Sequence, residues 1–148
     1  MSNRAHKRLA VWLAILLVVA GGALAHVWHI RALEAELRAF ADARGREQRA
    51  DSPSLHFRYA TTAVVSKDYV VFGPATGKAT LFVAQAPGAD APISGYEFFF
   101  ERRDGAWRKT DSGHCSGEAC RVQGRRLLAE LDARLENEAQ NQRLSDSP

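Results

Sequence analysis

Cys115 and Cys120 are the residues whose type and spacing most directly imply chemistry. The loop between them, Ser116-Gly117-Glu118-Ala119, is short and holds a glycine, so closure is feasible. In an oxidising compartment such a pair becomes a disulfide. For a six-residue loop, chain entropy assigns that closure about 2 kcal/mol. Redox catalysis fits less well, because the spacing is not C-x-x-C and no thioredoxin-like βαβ pattern surrounds it. His114 adjoins Cys115, so His114, Cys115 and Cys120, with Glu118 as a fourth, form an alternative ligand set for copper or zinc. Side chains of neighbouring residues diverge, which counts against joint ligation by 114 and 115.

His26 and His29 form a second pair, three residues apart and on one face if the segment is helical. Such a pair is a candidate for haem, a metal or a quinone headgroup. Beside Trp28 it also suits a membrane–water boundary, where imidazole is comfortable. No G-x-S-x-G, H-E-x-x-H or P-loop motif occurs. No catalytic residue is therefore assigned, no cofactor is expected, and the reading is non-enzymatic.

The elements that position these groups begin with a membrane segment. Arg4, Lys7 and Arg8 precede an uncharged apolar run from Leu9 to Ala25. With Val27, Trp28 and Ile30 it approaches the ~20 residues a spanning helix needs. Trp12 and Trp28 would stand about 24 Å apart along a helix, which suits two headgroup regions. The basic stub 1–8 is expected to stay in the cytoplasm and the C-terminal bulk to cross. The rival reading is a cleaved signal peptide, with Ala23-Leu24-Ala25 before a cut at His26. Leu33, Leu37 and Phe40 continue the helical spacing without a turn, which favours an uncleaved anchor at 9–30.

The anchor also explains the charge. The chain carries a net +3, and its stub alone holds three basic residues and no acid. Residues 31–148 then hold 17 basic and 17 acidic side chains. The basic pairs Arg102-Arg103, Arg108-Lys109 and Arg125-Arg126 have acids nearby at Glu101, Asp104, Asp111 and Glu130. A nucleic-acid footprint is not supported.

Beyond the membrane, residues 31–46 read as a juxtamembrane amphipathic helix that runs on from the anchor as one rod. Gly45 and the polar stretch to Ser54, with Pro53, should end it. A small exported domain is expected over 55–136. Leu55, Phe57 and Tyr59 alternate with His56 and Arg58 as a strand that continues through Val65. Ser66-Lys67-Asp68 reads as a turn, Tyr69–Phe72 as a β-rich run, and Ala79–Ala86 as a further strand. Residues 87–95 read as a loop. Tyr96, Phe98 and Phe100 share one face of the next strand, with Glu97, Phe99 and Glu101 on the other. Asp104-Gly105 signals a hairpin to a strand carrying Trp107. After Gly124, the leucines at 127, 128, 131 and 135 form the apolar stripe of a final helix. Residues 137–148 are polar and read as a disordered tail.

The aromatic strand is the candidate partner surface. Tyr96, Phe98, Phe99 and Phe100 exceed what one sheet face requires, and Phe99 would be exposed if both helices covered one side.

The layout resembles two membrane-anchored groups. A basic leader, an apolar helix running into an amphipathic one, a strand meander and a C-terminal disulfide resemble type IV pilins. The processing glycine and its following Phe-Thr-Leu-Ile-Glu have no counterpart in Leu9-Ala10-Val11-Trp12-Leu13. Gly77-Lys78-Ala79-Thr80-Leu81 and Asp104-Gly105-Ala106-Trp107 resemble the small cystatin-like domains of single-anchor assembly factors around respiratory oxidases.

The fold class expected is α+β: one transmembrane helix continuing into an amphipathic helix, a mainly antiparallel sheet of about four strands, and a C-terminal helix. The expected protein is an accessory or assembly subunit in a bacterial-type cytoplasmic membrane. It would be single-pass, with its domain periplasmic and a protein partner in the envelope. A periplasmic metal- or small-ligand-binding protein and a pilin-like structural subunit are the alternatives.

Overall fold

The computed structural model describes residues 3–52, 56–67, 75–86 and 91–145, with side chains from Arg8 onward except Lys67 and Leu144. Helix α1 spans Asn3–Asp51. The chain divides into two compact units, Met1–Leu33 and Glu34–Pro148. The first is the apolar part of α1. It is long and apolar enough to cross a membrane, with an 18-residue window of mean hydropathy 2.3 and none of that window buried. Trp12 and Trp28 are both exposed along it.

The second unit is α+β, as expected. Strands β1 (Arg58–Lys67), β2 (Ala75–Ala84), β3 (Ile93–Arg103) and β4 (Ala106–Cys115) are followed by α2 (Glu118–Ser145). The strands form one sheet in the order β1-β2-β3-β4, and every neighbouring pair is antiparallel. The Asp104-Gly105 turn closes β3 onto β4 with φ of 53° and 78°. Two successive positive φ values are what a two-residue hairpin loop requires, and Asp-Gly supplies them at low cost.

Alternation along the strands divides the sheet into two faces. One carries Phe57, Tyr59, Ala63, Val65, Ala79, Leu81, Val83, Tyr96, Phe98 and Phe100, and the stretch of α1 within this unit packs there. Leu37 and Ala41 are buried. Phe40 stands edge-on to Phe98 and Phe100, with centroids at 5.4 and 5.0 Å. Thr61 Oγ1 donates to Asp42 at 2.6 Å. Glu36 accepts from Arg102 at 2.6 Å and from the Trp107 indole N–H at 2.9 Å. The opposite face carries Phe82, Ala84, Ile93 and Gly95, and α2 packs there through buried Leu128 and Cys120. Arg58 pairs with Asp132 of α2.

Two glycines explain where the sequence reading of the helices fails. Gly45 itself lies inside α1, which ends at Asp51, within the polar stretch to Ser54 expected to stop it. A Cβ there would lie 2.4 Å from the Tyr59 ring, so the missing side chain lets the helix approach the sheet. Gly124 does not precede α2 but lies inside it. A Cβ there would meet Phe82 at 2.9 Å and Ile93 at 3.0 Å. Glycine inside a helix costs ~1 kcal/mol relative to alanine, and close packing is the compensation at both sites.

Other boundaries also differ. α2 runs on to Ser145, so residues 137–145 are a helical extension, exposed through Arg143, rather than a disordered tail. Ser66 and Lys67 belong to β1 rather than to a turn, His56 lies in a turn before it, and β2 starts at Ala75 rather than Ala79. Ile93 and Gly95 fall in β3, not in the preceding loop. Leu55, the run Tyr69–Phe72 and the end of the tail, 146–148, lie outside the described residues.

Gly45→Val is expected to destabilise the domain by about 1–3 kcal/mol through overpacking against Tyr59. Gly113→Val, where a Cβ meets nothing within 4 Å, is expected to change stability by less than about 0.5 kcal/mol. Chemical denaturation of the two variants checks the contrast.

Candidate functional site

The residues singled out from sequence separate into those used for packing and those left over. Cys115 ends β4 and Cys120 lies in the first turns of α2. Their sulfurs are at disulfide distance, with Cα atoms 6.0 Å apart. Gly95 lies against the pair: a Cβ there would come within 2.7 Å of Cys115 Cβ and 3.0 Å of Cys120 Sγ. The linkage therefore ties the last strand to the helix that covers the sheet. His114 is on the other face of β4, with its ring 5.2 Å from that of Tyr96. Pairing the two sulfurs leaves His114 and Glu118 without thiolate co-ligands. Among the described residues, no three His, Cys, Asp or Glu side chains are gathered for a metal ion. His26 and His29 lie on the apolar part of α1, the first half-exposed and the second exposed.

The candidate partner surface is largely consumed. Tyr96 and Phe98 pack on the cluster of Phe57, Leu81 and Val83, and Phe98 and Phe100 receive Phe40. Phe100 is buried, and Tyr96 and Phe98 are half-buried against the core, so little of these three rings is left to a partner. Their surplus in sequence reflects a second ring layer from α1. Phe99 points to the α2 face, where it is half-buried beyond the helix. It lines a shallow depression with Val64, Thr76, Lys78 and Glu101. A Lys78–Glu97 ion pair at 2.7 Å crosses the same region.

A second feature was not foreseen. Because α1 and α2 cover opposite faces, they flank the outer edge of β1. Between them runs a groove of about 600 Å³. Its floor is Phe57 to Thr61. Arg38, Asp42 and Arg49 of α1 form one wall, and Leu127, Leu131, Arg134 and Leu135 of α2 the other. The volume lies within the ~300–1,000 Å³ typical of ligand sites. The leucine stripe of α2 is therefore split in use. Leu128 is buried under the sheet, while Leu127 and Leu131 are half-buried and Leu135 is exposed along the groove. No local sequence signal marks the groove, since it depends on the two helices taking opposite faces.

The arrangement offers both polar and apolar contacts to a bound group. The groove holds guanidinium groups, one carboxylate, a hydroxyl and apolar walls. Asp42 already accepts from Thr61, and Arg58 is engaged by Asp132 and by the carbonyl of Ala86. No family model, curated protein or solved structure matches the chain, so its resemblances of layout stand without a matched relative.

Cys115→Ser is expected to lower stability by about 2 kcal/mol, the closure entropy of a six-residue loop. Adding a reductant to the wild type should reproduce most of that loss and leave the variant unchanged. Denaturant midpoints with and without reductant check both.

Proposed function

We propose that this chain is a non-catalytic, single-pass membrane protein whose α+β unit serves as an accessory or assembly module for another protein of the envelope. The membrane is a bacterial-type cytoplasmic one. The basic stub stays inside, and the domain lies on the extracytoplasmic side. The groove along β1 is the observation that carries this reading. It combines apolar walls from α2 with the exposed guanidinium groups of Arg38, Arg49 and Arg134.

Several further observations support it. The apolar helix has the length and composition of an anchor. The three basic residues before it, with no acid, favour the inside position for the stub. The cysteine pair at disulfide distance suits an oxidising compartment. A metal-binding alternative has less support, because the sulfurs it needs are paired with each other. A pilin-like role would need leader processing, for which the residues after Arg8 lack the motif.

Two measurements test the proposal. Alkaline phosphatase fused after the C-terminus should be active, and a fluorescent protein that fails to mature outside the cytoplasm should stay dark at the same position. The reverse pattern would put the domain in the cytoplasm and remove the envelope reading. Photo-crosslinking from the position of Arg49 in native membranes should yield one discrete, reproducible adduct with another protein. Failure to capture any specific partner from several exposed positions around the domain would remove the accessory role.

A further inference from the structure

The two edges of the sheet are not alike. β4 is exposed along almost its whole length and bears the usual protections of an edge. Arg108, Lys109 and Asp111 put charge in its middle. A register shift at Phe99/Phe100 leaves Thr110 without a partner on β3, so β4 carries a bulge. β1 has neither device. Its ten residues pair with β2 without interruption, from Arg58↔Ala84 to Lys67↔Ala75. Charge occurs only at the two ends, and Tyr59 to Ser66 are all uncharged.

An edge strand presents unpaired N–H and C=O groups along its outer side, which makes it a template for another strand. Among the described residues, no backbone group is recorded bonding to that side of β1. The flanking helices leave the groove over Phe57–Thr61 open, so access is restricted in direction rather than blocked. Side chains of an added strand would alternate. One set would meet Leu127, Leu131 and Leu135, and the other the α1 wall.

The walls also select by charge. Arg38, Arg49 and Arg134 line the groove with one carboxylate, Asp42, while Arg58 is already paired with Asp132. Arg38 and Arg49 are exposed, and neither forms an ion pair with another of the described residues. Guanidinium groups favour carboxylates through paired N–H donors. A second copy of this chain presenting its own β1 would bring like charges together, which costs affinity.

We infer that the groove accepts an extended, acidic segment of a partner protein, which pairs with the β1 backbone as a fifth strand. The partner's acidic side chains would be held by the arginines and its apolar ones by the α2 leucines. This deepens the accessory-module reading and rests on it. The recognition mode is strand addition, in which backbone bonds supply affinity and the alternate side chains supply selectivity.

The test uses the full chain in detergent micelles and a fluorescent eight-residue peptide alternating glutamate and valine. Anisotropy should show saturable binding, at least tenfold tighter than that of a lysine–valine peptide, and weakened by added salt. Two further peptides carry N-methyl groups, one on all glutamates and the other on all valines. One should lose at least tenfold in affinity and the other should keep it, because only one set of peptide N–H groups faces β1. The pair Arg49→Glu and Arg134→Glu should lose at least tenfold for the acidic peptide, whereas Arg121→Glu, outside the groove, should not. Equal binding of all methylated peptides would overturn strand addition. Equal binding of acidic and basic peptides would overturn the charge selection. Peptide binding that appears only as the protein is diluted would assign the β1 edge to a second copy and overturn the inference. A native partner crosslinked through another surface, with no peptide binding here, would leave the accessory reading in place and remove this one.

Discussion

The contact on which the domain depends is Phe40 of α1 set edge-on against Phe98 and Phe100 of β3. Edge-to-face aromatic pairs contribute ~0.5–1.5 kcal/mol beyond their buried area. Leu37, fully buried one turn earlier, adds about 1.5–3 kcal/mol. Gly77 lets that leucine reach the sheet, since a Cβ there would lie 2.3 Å from its Cδ1. Together these contacts commit the latter part of α1 to one face. The other face must then be covered by α2, and Phe82, Gly124, Leu128 and the cysteine pair hold it there. With one helix on each side of a simple meander, the edge of the first strand lies between two walls. The groove is thus a consequence of packing, and its chemistry comes from residues the packing did not need.

Most of the fold was legible in the sequence because its signals are local. Alternation assigned the faces of β3 correctly, placing Tyr96, Phe98 and Phe100 together and Phe99 opposite. Asp104-Gly105 marked its hairpin through the two positive φ values it permits. The short cysteine spacing indicated the pair. The errors arose where a local rule competed with a tertiary one. Gly45 and Gly124 carry the composition of helix breaks, yet each is the position at which a helix touches an aromatic ring. Ser66 and Lys67 look like a turn, yet pairing with Thr76 and Ala75 extends the strand through them.

The candidate site was less legible, for a related reason. An aromatic surplus on a strand has two explanations, a partner or a second layer of rings, and only the position of Phe40 separates them. Conversely, Arg38, Arg49 and Arg134 are scattered in sequence and look like ordinary solvated residues. They acquire a common purpose only when α1 and α2 stand on either side of β1. The split of the leucine stripe, one residue inward and three towards the groove, is not visible in the sequence, where 127, 128, 131 and 135 form one ordinary stripe. Electrostatics of the whole chain also misleads here, since residues 31–148 are balanced overall while this one groove is locally basic.

The central claim is that the outer edge of β1 is unpaired and available in the free protein. Residue-resolved amide hydrogen exchange of the full chain in micelles or nanodiscs reads it directly. Along Arg58–Lys67, amides that bond to β2 should be protected, and those on the outer side should exchange much faster, giving a two-residue alternation. Uniform protection along the strand, in dilute protein without a partner, would mean that the edge is already covered and would contradict the account.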